Sequence, residues 1–285
     1  MLKLVNNSVY FDIVITALSY CLNELDVCHE AVEIYPLHDN DNVYLICTTH
    51  ELDKPLPKKI ISYNFEQLTT SKIWEETFFI HLRCAEMVFD YSENNITLLR
   101  KKGISCHFLP LGYCTTMENT NSQCKDIEYD YIFIGCMNQR RANLLKSVNM
   151  LYYKYDGRLF NTNNVFGTQL DHLYRKTKAG LNIHHWHENT ILEVVRILPL
   201  IANNVIVVSE RSADNFYDKN LIRVVKFFNG ENFTHQILSV RDMTTEEVLM
   251  KTEYNKTYLK ENFNYIDFVR EIKDLITTFC EHNLT

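Results

Sequence analysis

Between His184 and Glu210 the chain collects residue types that can hold an anion or a sugar hydroxyl. His184, His185, His187, Glu188 and Asn189 form a polar cluster. Glu193 follows one turn later, and Ser209-Glu210 closes the stretch. A carboxylate such as Glu193 can accept hydrogen bonds from both hydroxyls of a ribose, as acidic residues do in dinucleotide folds. Its other reading is a solvated helix carboxylate paired with Arg196. A helix starting after Asn189 would turn its free N–H groups toward an anion; alternatively Asn189 only caps that helix and Glu188 is a surface charge. The three histidines lack the i, i+4 spacing of a helical zinc pair and have no cysteine nearby, which argues against a metal site. A second group stands upstream. Gly135 would let a ligand approach the backbone, and Arg140-Arg141 supply guanidinium groups that bind a diphosphate bidentately and stay charged. Lys146 lies about one turn further on. A surface helix also carries such charges without any ligand.

These residues need elements to position them. Ala179–Ile183 is a short apolar run. Ile191, Leu192, Val195, Leu198, Leu200 and Ile201 repeat with helical period, Asn203-Asn204 breaks the pattern, and Val205–Val208 is apolar again. Strand, loop, helix and strand make a βαβ unit with parallel neighbouring strands. Ligands of such sheets sit beyond the carboxyl ends of the strands, where the polar clusters fall. Similar units recur on either side. Upstream, Val9–Glu24 reads as a helix. Val43–Thr48 reads as a strand tipped by Thr48, Thr49 and His50, Lys54–Pro57 as a loop, and Lys59–Tyr63 as a strand. Ser71–His81 is a helix and Glu86–Phe89 a strand. Ser92 caps the helix Glu93–Lys101, which Gly103 closes, and Ser105–Leu109 is a strand. Thr115–Ile127 is polar and aperiodic, the natural interdomain connection. Downstream, Tyr129–Ile134 is a strand, Arg140–Tyr152 and Gln169–Lys178 are helices, and Leu221–Phe227 is a strand. Thr244–Lys260 and Tyr265–His282 are closing helices. The fold class is α/β, with domains at 1–120 and 128–285.

Composition bounds the rest. A net charge of -7 argues against nonspecific nucleic-acid binding. The 9 cysteines include no CxxC pair, and with no secretory signal they point to reduced thiols and a cytoplasmic location. The apolar stretch Phe11–Cys21 is too short to span a bilayer.

Five stretches in order, YNFEQL (63–68), VFDYSENNITLL (88–99), LPLGY (109–113), YIFIGCMNQRRANLL (131–145) and LNIHHWHENTILEVVRI (181–197), resemble small glycosyltransferases of the GT-B architecture. The resemblance implies two Rossmann-like domains facing across a cleft and transfer of a sugar from a nucleotide-sugar donor to an acceptor hydroxyl. The donor would be held by the C-terminal domain and the acceptor (a glycan, a small molecule or a modified base) by the N-terminal one. It implies donor contacts from Gly135, Arg140, Arg141, His184, His185, His187, Glu188, Asn189, Thr190 and Glu193. Phe166 and Gly167 would lie in the loop that cradles the base. Arg141 would stabilise the leaving diphosphate, and Glu66 or Asp90 would act as base toward the acceptor. No metal or other cofactor is needed by this scheme. Many such enzymes carry an acidic residue at each end of a short window before and within the donor helix; here Glu193 occupies the second place and His185 the first. The alternative is a non-catalytic nucleotide- or sugar-binding protein that retains the fold.

Overall fold

The computed structural model describes residues 1–6, 8–35, 39, 41–47, 56–70, 76–119, 126–155, 159–162 and 165–284. The expected strand tip Thr48-Thr49-His50, the Lys54-Pro55 half of a loop, the start of the helix expected from Ser71 and residues 120–125 of the connection lie outside the described residues.

The first unit opens with β1 (Leu2–Val5), α1 (Asp12–Glu24), β2 (His29–Val32), β3 (Val43–Cys47) and β4 (Ile60–Asn64). It continues through α2 (Glu76–Cys84), β5 (Met87–Asp90), α3 (Glu93–Lys101) and β6 (His107–Phe108). Its six strands pair in the order β2-β1-β3-β4-β5-β6, all parallel. β3, β4 and β5 are buried at every position, as expected where helices cover both faces of a parallel sheet. The Ser92 cap forms as read: its Oγ accepts from the Asn95 N–H at 3.2 Å. Gly103 ends α3 in the left-handed region, at φ +74.

The second unit runs β7 (Tyr129–Ile134), α4 (Gln139–Tyr155), β8 (Leu159–Thr162), α5 (Gly167–Arg175), β9 (Thr177–Asn182) and α6 (Val194–Ala202). β10 (Ile206–Glu210), α7 (Asn215–Leu221), β11 (Val225–Phe228), α8 (Phe233–Arg241) and α9 (Thr245–Asn262) complete it. Its strands pair in parallel in the order β11-β10-β9-β7-β8. The βαβ unit β9-α6-β10 is present, with Asn182 opposite Ser209 at the carboxyl ends. Tyr131, Phe133, Leu181, Val208 and Ile237 centre the core of this unit. The buried Tyr131 hydroxyl finds an acceptor in the Ile237 carbonyl at 2.6 Å.

Compact units divide differently from the expected boundaries. The first comprises Met1–Thr116 and Asn264–Thr285, the second Met117–Phe263. The last helix, α10 (Tyr265–Leu284), was expected to close the second domain and instead belongs to the first. Backbone pairing explains this. The Tyr265 N–H donates to the Tyr113 carbonyl at 2.7 Å, and α10 then packs against α1 with Val269 and Ile276 buried.

Gly180 sets how closely α6 lies on β9. A Cβ there would stand 2.7 Å and 2.8 Å from the two Cδ atoms of the buried Leu200. Gly180→Ala is therefore expected to destabilise the protein by about 1–3 kcal/mol, the usual cost of overpacking. Urea denaturation would register this as a lower midpoint with an unchanged slope.

Candidate functional site

The carboxyl ends of β7, β9 and β10 lie side by side, and their loops are tied together by side chains. Asn138 joins the first two: its Oδ1 accepts from the Arg141 N–H at 2.9 Å, and its Nδ2 donates to the His185 carbonyl at 2.7 Å. Just after β7, Gly135 makes room for charge. A Cβ at that position would meet Arg196 Nη2 at 3.1 Å and Arg141 Nη1 at 3.4 Å. Two guanidinium groups thus converge on one stretch of backbone.

The three arginines have different surroundings. Arg140 forks onto both carboxylate oxygens of Glu210, with Nη1 at 2.9 Å from Oε2, and donates to the His184 carbonyl at 2.7 Å. Its guanidinium was a phosphate candidate; it instead holds the end of β10 to the end of β9. Arg141 is buried, with Nε donating to the Ile183 carbonyl at 2.9 Å and Nη1 to the Cys136 carbonyl at 2.8 Å. Its Nη2 faces Glu193 Oε1 at 3.6 Å. Burial, together with the neighbouring Arg196, lowers its pKa to about 10, which leaves it charged at neutral pH. Arg196 donates from Nη1 to Asn182 Oδ1 at 2.7 Å, and its Nη2 is the group beside Gly135.

Glu193 stands immediately before α6, one residue short of the helix rather than within it. Its Oε2 accepts from His184 Nδ1 at 2.8 Å and from Asn182 Nδ2 at 2.8 Å. Among the described residues, its Oε1 has the longer Arg141 contact at 3.6 Å. Burial would raise the pKa of this carboxyl, but His184, Arg196 and Asn182 outweigh burial and hold it well below the usual carboxylate range. Glu193 is thus held through one oxygen by His184 and Asn182, and Arg196 acts on it through its charge. Asn182 also donates to Ser209 Oγ at 3.0 Å, so this asparagine links the ends of β9 and β10 to the start of α6.

His184 was expected to touch the donor, yet its ring is 3% exposed and both nitrogens are engaged. Nδ1 meets Glu193, and Nε2 meets the Arg211 carbonyl at 3.0 Å. The more open side of the loop belongs to its neighbours. His185 and Trp186 are partly exposed and meet edge to face at 4.7 Å. His187, Glu188 and Asn189 are exposed, and Asn189 turns the chain at φ +50. Thr190 is buried, and its carbonyl accepts from the Ala213 N–H at 2.8 Å. Phe166 is 39% exposed beside Gly167, which begins α5 at φ +55. Among the described residues no three histidines, cysteines or carboxylates stand together as a metal-holding group.

In the first unit the two candidate bases differ. Asp90 is wholly buried at the end of β5. Its carboxylate accepts from Asn64 Nδ2 at 2.6 Å, the Ser92 N–H at 2.8 Å and Asn95 Nδ2 at 3.1 Å. A base must present a lone pair to the substrate proton; this carboxylate is spent on fixing β4, β5 and the start of α3. Glu66 is partly exposed, with its backbone held by Asn64 and Asn95.

Arg196, Asn138 and Asn182 were missed as site residues. Asn182, at the end of an apolar strand, was the available signal, because a buried amide there must find partners.

No family model matches the chain. Two uncharacterised proteins of Acanthamoeba polyphaga mimivirus are similar to it in sequence. One is 27% identical over 254 residues, covering 86% of this chain and 32% of that protein. The other is 28% identical over 192 residues, covering 65% and 64%. The chain thus spans less than two thirds of either relative. Among solved structures it is similar to WaaG, a glycosyltransferase involved in lipopolysaccharide biosynthesis, with TM-score 0.57 at 9% identity over 97% of this chain and 100% of that one. A glycosyltransferase from Rickettsia africae ESF-5 gives TM-score 0.53 at 10% identity, covering 98% of both chains. TarM gives TM-score 0.56 at 9% identity over 90% of this chain and 58% of that one. With two parallel α/β units and these neighbours, the chain has the GT-B architecture. Among the described residues, no helix is long and apolar enough to cross a membrane.

Proposed function

We propose that the chain is a glycosyltransferase that moves a sugar from a nucleotide-sugar donor to an acceptor hydroxyl, with the donor held by the second unit. The observation that carries this reading is the convergence of Arg141 and Arg196 beside Gly135, next to Glu193 Oε1, at the carboxyl ends of adjacent parallel strands. Arg140, Arg141 and Arg196 stand against Glu193 and Glu210. The described part of the cluster therefore favours an anionic guest, and a diphosphate has the matching charge. Glu193 Oε1 is positioned to accept from ribose hydroxyls. The arginine pair would stabilise the leaving diphosphate electrostatically, without requiring a metal ion for that task. The exposed loop at His185, His187, Glu188 and Asn189 and the side chain of Phe166 remain candidate contacts for sugar and base. Glu66 remains the candidate base toward the acceptor. A non-catalytic binding protein is the second reading, favoured by His185 standing where many such enzymes carry an acid.

Uridine, guanosine or adenosine diphosphate is expected to raise the melting temperature, because a ligand that binds only the folded state stabilises it. Arg196→Gln should weaken binding of that diphosphate about ten- to a hundredfold, the equivalent of a charge-assisted contact worth about 1.5–3 kcal/mol, and leave nucleoside binding little changed. Titration calorimetry would measure both. No shift with any of the three at millimolar concentration would overturn the reading. Binding without release of diphosphate from any nucleotide sugar would favour the second.

A further inference from the structure

His184 is engaged in a way that a neutral imidazole cannot sustain. Among the described residues, its two ring nitrogens face oxygen acceptors, a carboxylate at 2.8 Å and a backbone carbonyl at 3.0 Å. A neutral ring has one N–H and one lone pair, so one contact would set lone pair against lone pair. With both nitrogens protonated, both contacts are hydrogen bonds. We propose that His184 is a positioning residue, held as an imidazolium, that staples the loop after β10 to the loop before α6 and so presents Glu193 Oε1 to the donor. The presentation of Glu193 rests on the donor-binding reading above; the staple does not.

The surrounding charges support the proton. Glu193 lies on Nδ1, and Glu210 accepts from the His184 backbone N–H at 2.7 Å. Asp218, at the start of the α7 region, is a further carboxylate whose field reaches the ring. Arg140 acts from α4 on the His184 carbonyl, while Arg141 and Arg196 stand beyond Glu193. Burial disfavours the charged ring, but Glu193, then Glu210 and the Arg211 carbonyl, outweigh it and raise the pKa of His184 above its usual value.

Loss of the proton to solvent has a directional consequence. The remaining N–H stays on Nδ1, where the acceptor is an ionised carboxylate. Nε2 then turns a lone pair toward the Arg211 carbonyl, and that contact opens. Only two residues along, the Ala213 N–H donates to the Thr190 carbonyl at 2.8 Å. That amide reports whether the two loops stay together.

Ring-nitrogen NMR of the labelled protein tests the first link. The His184 signals are assigned by their loss in His184→Asn, or, if that variant does not fold, by their selective shift in Glu193→Gln. Both nitrogens should be protonated at pH 7, with a titration above the ordinary histidine range that moves down in Glu193→Gln. A neutral His184 at pH 7 overturns the proposal. Hydrogen exchange tests the second link. The protection factor of the Ala213 amide should fall at least tenfold across the His184 titration in wild type, relative to amides of β7. Protection that does not follow that titration also overturns it. The third link uses uridine, guanosine and adenosine diphosphate, each alone. Whichever binds should lose about tenfold in affinity across the same pH step; affinity unchanged across that step overturns the positioning role. If none binds while both ligand-free results hold, the donor reading falls and the staple stands.

Discussion

Glu193→Ala is expected to lower the stability of the protein by about 3–5 kcal/mol, the range for removing one partner of a buried ion pair. The carboxylate is the common counter-charge of His184 and Arg141 and the acceptor of the Asn182 amide. Its removal leaves a buried imidazolium without its anion. Glu193→Gln should cost less, because one acceptor oxygen survives for Asn182. The loss depends on pH with a definite sign. The Glu193 pKa is depressed, so its contribution is present above its usual value of 4.5 and disappears as pH falls through the lower folded value. The His184 pKa is raised, so its contribution is complete below its usual value of 6.5 and disappears as pH rises through the higher folded value. The difference between wild type and Glu193→Ala should therefore be widest between those two values and shrink on the alkaline side. Denaturant titrations across pH measure it. A loss of only a few tenths of a kcal/mol, independent of pH, would mark Glu193 as an ordinary surface charge.

Asp90→Ala should be similarly severe, at about 3 kcal/mol or more. The substitution removes the acceptor of the Ser92 N–H and one acceptor each from the Asn64 and Asn95 amides, which keep the Glu66 carbonyl, in a site where the carboxylate has no exposure. Each buried donor left unpaired costs about 1–3 kcal/mol, reduced where water fills the space. Asp90→Asn keeps the shape but turns an amide N–H₂ toward existing donors, so it should not rescue. The falling urea midpoint is the measurement. Comparable stability in Asp90→Ala would remove the structural role assigned here and reopen Asp90 as a candidate base.

The β9-α6-β10 unit was legible because two apolar runs flank a helical repeat and Asn203-Asn204 punctuates it. β1, β2, α7 and α8 were not singled out. β2 is an edge strand whose Glu30 and Ala31 are exposed, so it lacks the apolar signature of a buried strand. α7 is short and polar, with its buried Asp218 looking in sequence like a surface charge. At the site, residue types were readable but their partners were not. Arg140 and Arg141 are adjacent on one helix and so point about 100° apart. One meets Glu210 and the other the carbonyls after β7 and β9, a distinction made by tertiary placement. The cluster of histidines conceals the same division, with His184 turned inward and His187 outward.

The return of the chain at Asn264 makes the second unit an insertion within the first. The segments that leave and rejoin are bridged between Tyr113 and Asn264. This arrangement orders events during synthesis. The whole second unit emerges from the ribosome before α10, and domains fold as units while the chain is being made. For that interval α1 lacks the helix it packs against. The first unit thus starts first and finishes last, and a stop codon just after α9 would spare the second unit while leaving the first without its closing helix.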